Sequence, residues 1–424
     1  MKHRLPALTL ATALAAGPLA MTATAAAAWT PASSASTATA ALTADTTEID
    51  SVETGREIVP EILERTKERR DRARAGLAAD TPQGAERLSA QSAESMTALA
   101  TGRIAGDNRF ETSALISQDS HPDPASDFGG IVFIANGLNF PDALAAGPAA
   151  TSMLGPVLLV SPTGGLPESV RDEIVRLQPD SAVILGQTDN VGVQVETELQ
   201  QLIDPTGVFR AAGTNRNETS AILSLFVTNY DDAFNPIPLD TAIISTGATF
   251  ADALAGGAAG GWEYAPLFLT GAASLDPAVA AALAPIPADP ANDYPGQEIT
   301  TVRILGSTAT LSTTVQNQIQ ALLPNADVIR YSGANRFDTA SRLNADVFTA
   351  PSFEITMANG LRFPDALAGA PRVNKTGGPT VPVLTACVPT ESVATLTTFT
   401  PTNITALGKT DAVSDAALSG ASCG

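Results

Sequence analysis

The 424-residue chain is 44% hydrophobic but only 5% aromatic, enough for several domains whose cores must be built from Val, Ile, Leu and Ala. Its formal net charge of −20 sets up a field that repels polyanions, which disfavours nucleic acid and anionic membrane surfaces as partner classes.

Residues 1–28 read as a secretory signal peptide: Lys2, His3 and Arg4 precede an apolar stretch, and an A-x-A site lies near Ala26–Ala28. A membrane anchor is the competing reading. The Gly17-Pro18 break and the Ala/Thr-rich second half favour cleavage. No later segment approaches a membrane-spanning apolar length, so no membrane contact is expected once the leader is removed. Residues 29–98 read as a linker, beginning with the low-complexity "ASSASTATAALTADTTE". Within it, "REIVPEILERTKERRDRARAGL" has the composition of a charged, solvated helix after Pro60, either a spacer or a dispensable tail.

From there the chain says nearly the same thing three times. "AGDNRFETSA" at Ala105 returns as "AGTNRNETSA" at Ala212 and "SGANRFDTAS" at Ser332. A second block follows in step: "IVFIANGLNFPDALAAGPAA" from Ile131, "AIISTGATFADALAGGAAG" from Ala242 and "ITMANGLRFPDALAGAP" from Ile355. A third repeats as "GPVLLVSPTGGLPESV", "APLFLTGAASLDPAV" and "VPVLTACVPTESV". The fourth closes each unit: "AVILGQTDNVGVQV", "VRILGSTATLSTTV" and "ITALGKTDAVSDAA". Four ordered matches define three units, 99–207, 208–326 and 327–424.

Inside each unit, short β-branched runs such as "IVFIA", "VLLV" and "AVIL" alternate with helix-like segments such as "LPESVRDEIVRL". That alternation predicts parallel βαβ units, hence an α/β fold of three tandem doubly wound domains. The only cysteines, Cys387 and Cys423, fall in the third unit. In an exported chain such a pair reads as one disulfide, with two buried thiols as the other possibility.

The blocks resemble the type 2 cell-wall-binding repeat of Gram-positive secreted and surface proteins. The resemblance rests on A-G-x-N-R-x-E-T around Arg109 and Arg216, N-G-x-x-F-P-D-A-L around Asp142 and Asp365, and the closing I-L-G, and it covers about 99–424. It implies three Rossmann-like domains packed as a pseudo-threefold trimer. It also implies noncovalent attachment to an anionic cell-wall polymer, teichoic-acid-like or an acidic polysaccharide, and a place at the cell wall or surface. In that family the repeats usually accompany a separate effector domain, and none is evident beside them here.

All the signature strings follow strands, and loops at the carboxyl ends of parallel strands gather on one rim, where ligands bind. The candidate polymer contacts are therefore Arg109, Arg216 and Arg336, with Asn108, Asn215, Asn335, Asn136, Asn359, Asp142, Asp252 and Asp365. A planar guanidinium suits bidentate capture of phosphate or carboxylate. Each Arg also has a structural reading, as an ion pair with Glu111 or Asp142 and their counterparts. Asp142, Asp252 and Asp365 open an Ala-rich segment, where helix capping competes with ligand contact. Phe140, Phe250 and Phe363 read as core anchors beneath the loop. On a chain this acidic, attachment to an anionic polymer needs local Arg sites or bridging divalent cations.

Beyond the leader the only histidine is His121, outside every repeated block, which argues against triads and histidine metal sites. No G-x-x-x-x-G-K-[ST] loop occurs, and no cofactor or structural metal is expected. "GASCG" at Gly420 mimics G-x-S-x-G but has no helix after it. The reading is a noncatalytic wall-binding protein. The alternatives are a polysaccharide- or peptidoglycan-cleaving hydrolase, which needs a unique carboxylate pair, and a surface-layer or adhesion protein.

Overall fold

A computed structural model describes residues 46–91, 100–139, 142–230, 236–250, 252–287, 297–352, 354–362 and 364–423. The expected leader and the low-complexity start of the linker lie outside the described residues, as do Phe140 and Phe363.

Three parallel sheets follow from the three repeats. The first has the strand order Thr47–Ile49, Val208–Ala211, Ser181–Leu185, Ile131–Asn136, Val157–Val160. The second runs Leu267–Thr270, Leu239–Thr246, Gln297–Leu305, Asp327–Tyr331. The third runs Thr380–Val383, Glu354–Asn359, Asn403–Leu407, Ala100–Ile104. Helices cover both faces, so the strands are buried throughout rather than on alternate residues: Ile131–Asn136, Val157–Val160 and Ser181–Leu185 are buried at every position.

The sheets and the sequence units are offset by one strand. Val208–Ala211 opens the second sequence unit but pairs in the first sheet, against Ser181–Leu185. Asp327–Tyr331, which opens the third unit, pairs in the second sheet. Ala100–Ile104, which opens the first unit, pairs with Asn403–Leu407 in the third. Each unit is therefore stitched to the one before it, and the first to the last. One apolar cluster runs continuously from Ile49 to Leu418 across all three.

The Ala-rich segments of the second block meet at equivalent positions. A Cβ placed on Gly147 would lie 2.8 Å from the Ala370 Cβ and 3.1 Å from the Gly257 Cα, and these three residues each follow the signature Asp by five positions. Backbone, not a movable side-chain end, blocks that site. Gly147→Val is thus expected to lose about 1–3 kcal/mol by overpacking, read as a lower urea midpoint. Gly102→Ala is the control, since its Cβ would meet only Thr405 Oγ1 at 3.4 Å. An unchanged Gly147→Val midpoint would mean that the three helices can part there without cost.

The linker differs from its expected form. The helix spans Val52–Gln91, starting ahead of Pro60, and it is docked rather than solvated. Its charged composition conceals a buried stripe of Val52, Val59, Ile62, Thr66 and Ala73. Arginine stems add to that burial while their heads reach partners on the first unit: Arg69 pairs with Asp180 at 3.1 Å and Arg65 with Asp204 at 3.3 Å. Thr47–Ile49, just before it, adds a fifth strand to the first sheet alone.

The third unit ends short. Closing helices of ten residues, Val193–Leu202 and Thr313–Leu322, become the four-residue Asp415–Leu418, and a Cys387–Cys423 disulfide secures the segment beyond it.

Candidate functional site

The signature string builds a helix start in each unit. Asn108 Oδ1 accepts from the N–H of Phe110 and Glu111, making it the N-cap of Arg109–Ser120. Asn215 and Asn335 cap Arg216–Ser224 and Arg336–Val347 in the same way. The acidic residue three positions on completes the arrangement: Glu218 accepts from the Thr214 N–H at 2.8 Å and Asp338 from Ala334 at 2.9 Å, while Glu111 takes the Asp107 N–H.

The repeated Arg is not held by the ion pair expected of it. Arg109 Nη1 donates to the Gly137 carbonyl at 2.6 Å, Arg216 to Gly247 at 2.5 Å and Arg336 to Gly360 at 2.8 Å. Each thus fixes the turn of its own second block. The expected ion pair with Glu111 or its counterparts does not form, because those carboxylates are turned onto backbone N–H groups. Among the described residues, none of the three arginines makes an ion pair. Arg336 also lies over the Phe250 ring, 5.5 Å from its centroid, and Phe250 packs on the core.

The charge that faces each Arg comes from the preceding unit. Among the signature arginines, Asp142 feels Arg216, Asp252 feels Arg336 and Asp365 feels Arg109, not the one of its own unit; Asp365 also feels Arg362. The strand offset causes this, since it sets every signature loop against its neighbour's rim. Burial raises all three carboxyls above the ordinary Asp value. Thr219 and Arg216 partly offset this at Asp142, Thr339 and Arg336 at Asp252, and Arg109 at Asp365.

Helix capping does not explain Asp142 or Asp252. Asp252 occupies a cap position without a side-chain cap bond, and Asp142 precedes a helix that starts only at Ala146. Asp365 lies in the first turn of Pro364–Gly369. What the three share is a glycine. A Cβ on Gly186 would lie 2.5 Å from Asp142 Oδ2, on Gly306 2.8 Å from Asp252 Oδ2, and on Gly408 2.4 Å from Asp365 Oδ2. Those glycines close the I-L-G strings at φ +87°, +104° and +90°, so both the backbone and the carboxylate above it require Gly there.

Asn136 and Asn359 are buried and hold the loops. Asn136 donates to Asn190 O at 2.8 Å and accepts from Leu138 N–H at 2.7 Å; Asn359 donates to Thr385 Oγ1 at 2.9 Å and accepts from Leu361 N–H at 2.8 Å. His121, well away from the rim, is buried against Phe128, and burial lowers its pKa to about 4.

A second repeated arginine escaped the sequence reading. Arg103, Arg210 and Arg330, each six residues before the signature Arg, donate Nη1 to the carbonyls of Gly408, Gly186 and Gly306 at 2.8, 2.8 and 2.9 Å. They lock each opening strand to the closing strand of the preceding unit. The signal was present as R-x-x-G-x-N-R at Arg103, Arg210 and Arg330.

Arg336 and Asp252 both line an open cleft of about 540 Å³ between the second and third units, with Gly333, Asn335, Ser307 and Thr310.

The family model for cell wall binding domain 2 matches residues 103–196, 210–316 and 330–418. The chain is 28% identical over 275 residues to the "Amidase enhancer" of Bacillus subtilis (strain 168), covering 65% of this chain and 33% of that protein. It is 24% identical over 277 residues to "N-acetylmuramoyl-L-alanine amidase LytC" of the same organism, covering 65% and 49%. Among solved structures, Cwp6 from Clostridium difficile superposes with a TM-score of 0.65 at 21% identity, covering 77% of this chain and 49% of that one. Cwp8 from Clostridium difficile gives 0.62 at 23%, covering 74% and 50%. These two show a shared fold. The chain spans between a third and a half of the length of its relatives. It belongs to the cell wall binding domain 2 family, and its place is accordingly outside the cell, at the wall or surface.

Proposed function

We propose that the chain is a noncatalytic module held to the wall by an anionic polymer, teichoic-acid-like or an acidic polysaccharide, seated where one unit's Asp faces the next unit's Arg. The offset stitching supports a pseudo-threefold arrangement of three such seats, which suits a repetitive polymer through multivalency. The observation that carries the reading is the state of Arg109, Arg216 and Arg336. Each is pinned by one nitrogen to a turn carbonyl, and none makes an ion pair among the described residues, on a protein of net charge −20. A positioned guanidinium not closed off by a direct ion pair is the group that captures an outside anion. The relative named as an amidase matches over about half its length, which fits a wall-binding part carried beside a catalytic one in that protein.

Incubating the protein with isolated Gram-positive walls, intact and after mild-acid removal of their anionic polymer, tests the reading. Retention on intact walls only, with no reducing ends released, is the expected result. Equal retention on stripped walls would remove the polymer from the account.

Acidity provides a finer check. Asp142, Asp252 and Asp365 have raised pKa values, so on lowering the pH they lose charge before ordinary carboxylates do, and the repulsion they exert on a bound anion falls. A phosphodiester keeps its charge throughout, so its binding is expected to strengthen from neutral toward about pH 4, as measured by calorimetric titration. A uronic-acid polymer begins to lose its own charge only at the acid end of that range and is expected to weaken below it.

A further inference from the structure

We infer that the three seats are unequal, and that the cleft between the second and third units, bounded by Asp252 and Arg336, is the dominant one, taking a single anionic, hydroxyl-bearing glycan residue. This rests on the wall-binding reading and makes it specific.

Side chains of the protein itself fill the corresponding places elsewhere. At the first junction Gln187 reaches across to the Ala212 carbonyl at 2.9 Å, and Asn190 donates to Asp142 at 2.7 Å. At the junction of the third unit with the first, Lys409 pairs with Asp107 at 2.6 Å and Arg362 with Asp411 at 3.0 Å. The second junction has Ser307 where the others have Gln187 and Lys409, and Thr310 where they have Asn190 and Ala412. It also has Ala334 where they have Thr214 and Asp107. Among the described residues neither Ser307 nor Thr310 reaches the third unit, and the cleft of about 540 Å³ is within the usual size of a small-ligand pocket.

Charge separates the junctions independently. Asp189 and Asp411 are replaced by Ala309. The carboxylates that neutralise the second repeated arginine are replaced as well. Arg210 pairs with Glu196 at 2.6 Å and Arg103 with Asp415 at 3.0 Å, but Arg330 has no carboxylate among the described residues: beyond the Gly306 carbonyl it meets the neutral Gln316, through Nε at 3.1 Å. Its Nη2 is buried and without a partner among the described residues. The acids that remain near the cleft are Asp252 itself, Asp338, which is paired with Arg342, and Glu391, which accepts from the Asn335 amide at 2.9 Å. Two carboxylates fewer, with both arginines kept, make this the junction least hostile to an anion. The lining suits a sugar: Arg336 for the charged group, and the hydroxyls of Ser307, Thr310 and Thr249 for ring substituents.

The test is calorimetric titration of the full chain with polymer fragments released from isolated walls by mild acid. Arg336→Gln and Ala309→Asp are each expected to weaken binding about tenfold, whereas Arg109→Gln and Arg216→Gln have a much smaller effect. Ala309 is exposed, and the equivalent positions hold Asp189 and Asp411, so the fold already accommodates the aspartate. A saturation ratio near one fragment per chain would support the inference. Equal losses at all three arginines, or an Ala309→Asp protein that binds like wild type, would overturn it and leave the wall-binding reading intact. Wild-type protein that binds no fragments at all would defeat the wall-polymer reading itself, and this inference with it.

Discussion

Arg372→Met is expected to cost about 3–5 kcal/mol of stability, because it breaks a buried ionic cluster without removing its carboxylates. Arg372 is almost fully buried where the third unit meets the first. It pairs with Asp119 at 2.8 Å, on the first signature helix, and with Glu354 at 2.6 Å. Its Nη1 also donates to Thr356 Oγ1 at 2.9 Å. Methionine fills the space but leaves Glu354 with only the Thr405 hydroxyl at 2.6 Å, while Asp119 keeps Lys375 at 2.7 Å. Adding Glu354→Gln should therefore restore part of the loss, since a neutral amide costs less to bury than a lone carboxylate. A urea titration of the single and double variants decides. A single variant within about 0.5 kcal/mol of wild type would show that this junction does not hold the first and third units together.

Reducing the Cys387–Cys423 bridge is expected to cost about 3–4 kcal/mol, the chain-entropy value for the 36 residues it spans. The third unit depends on it for a local reason. The first and second units secure their ends with ten-residue helices that bury Val195 and Leu199, or Val315 and Ile319. Asp415–Leu418 buries only Ala417 and Leu418. Opening the bridge should therefore unfold the last strand and helix first, while the other sheets persist. Hydrogen exchange under reducing conditions should show protection lost at Asn403–Leu407 ahead of Ser181–Leu185. Simultaneous loss in both strands would mean that the bridge supports the whole assembly, not one unit.

The parts of this architecture that were legible in the sequence are local or repeated. Strand runs such as "IVFIA" and "VLLV", the three units and the cysteine pair all depend on residues close in sequence or on plain periodicity. The exchange of opening strands was hidden, because nothing in Val208–Ala211 says which sheet it joins. That hidden step also decided the site. It set Arg216 against Asp142 rather than Asp252, which no spacing within one unit could reveal. The docked linker helix was masked by its own charges, since Arg65 and Arg69 supply packing as well as polarity. The asparagine caps could have been read from Asn108 and Glu111, whose spacing is that of a capping box.

The central claim is that the repeated signature arginines, besides fixing their own turns, hold the wall polymer. A wall pull-down beside a thermal melt, on wild type and an Arg109→Gln, Arg216→Gln, Arg336→Gln triple variant, tests it most directly. The account predicts a protein that still melts cooperatively, somewhat earlier because three charged hydrogen bonds to turn carbonyls are weakened, and that is no longer retained on intact walls. A triple variant retained on walls as firmly as wild type would contradict it.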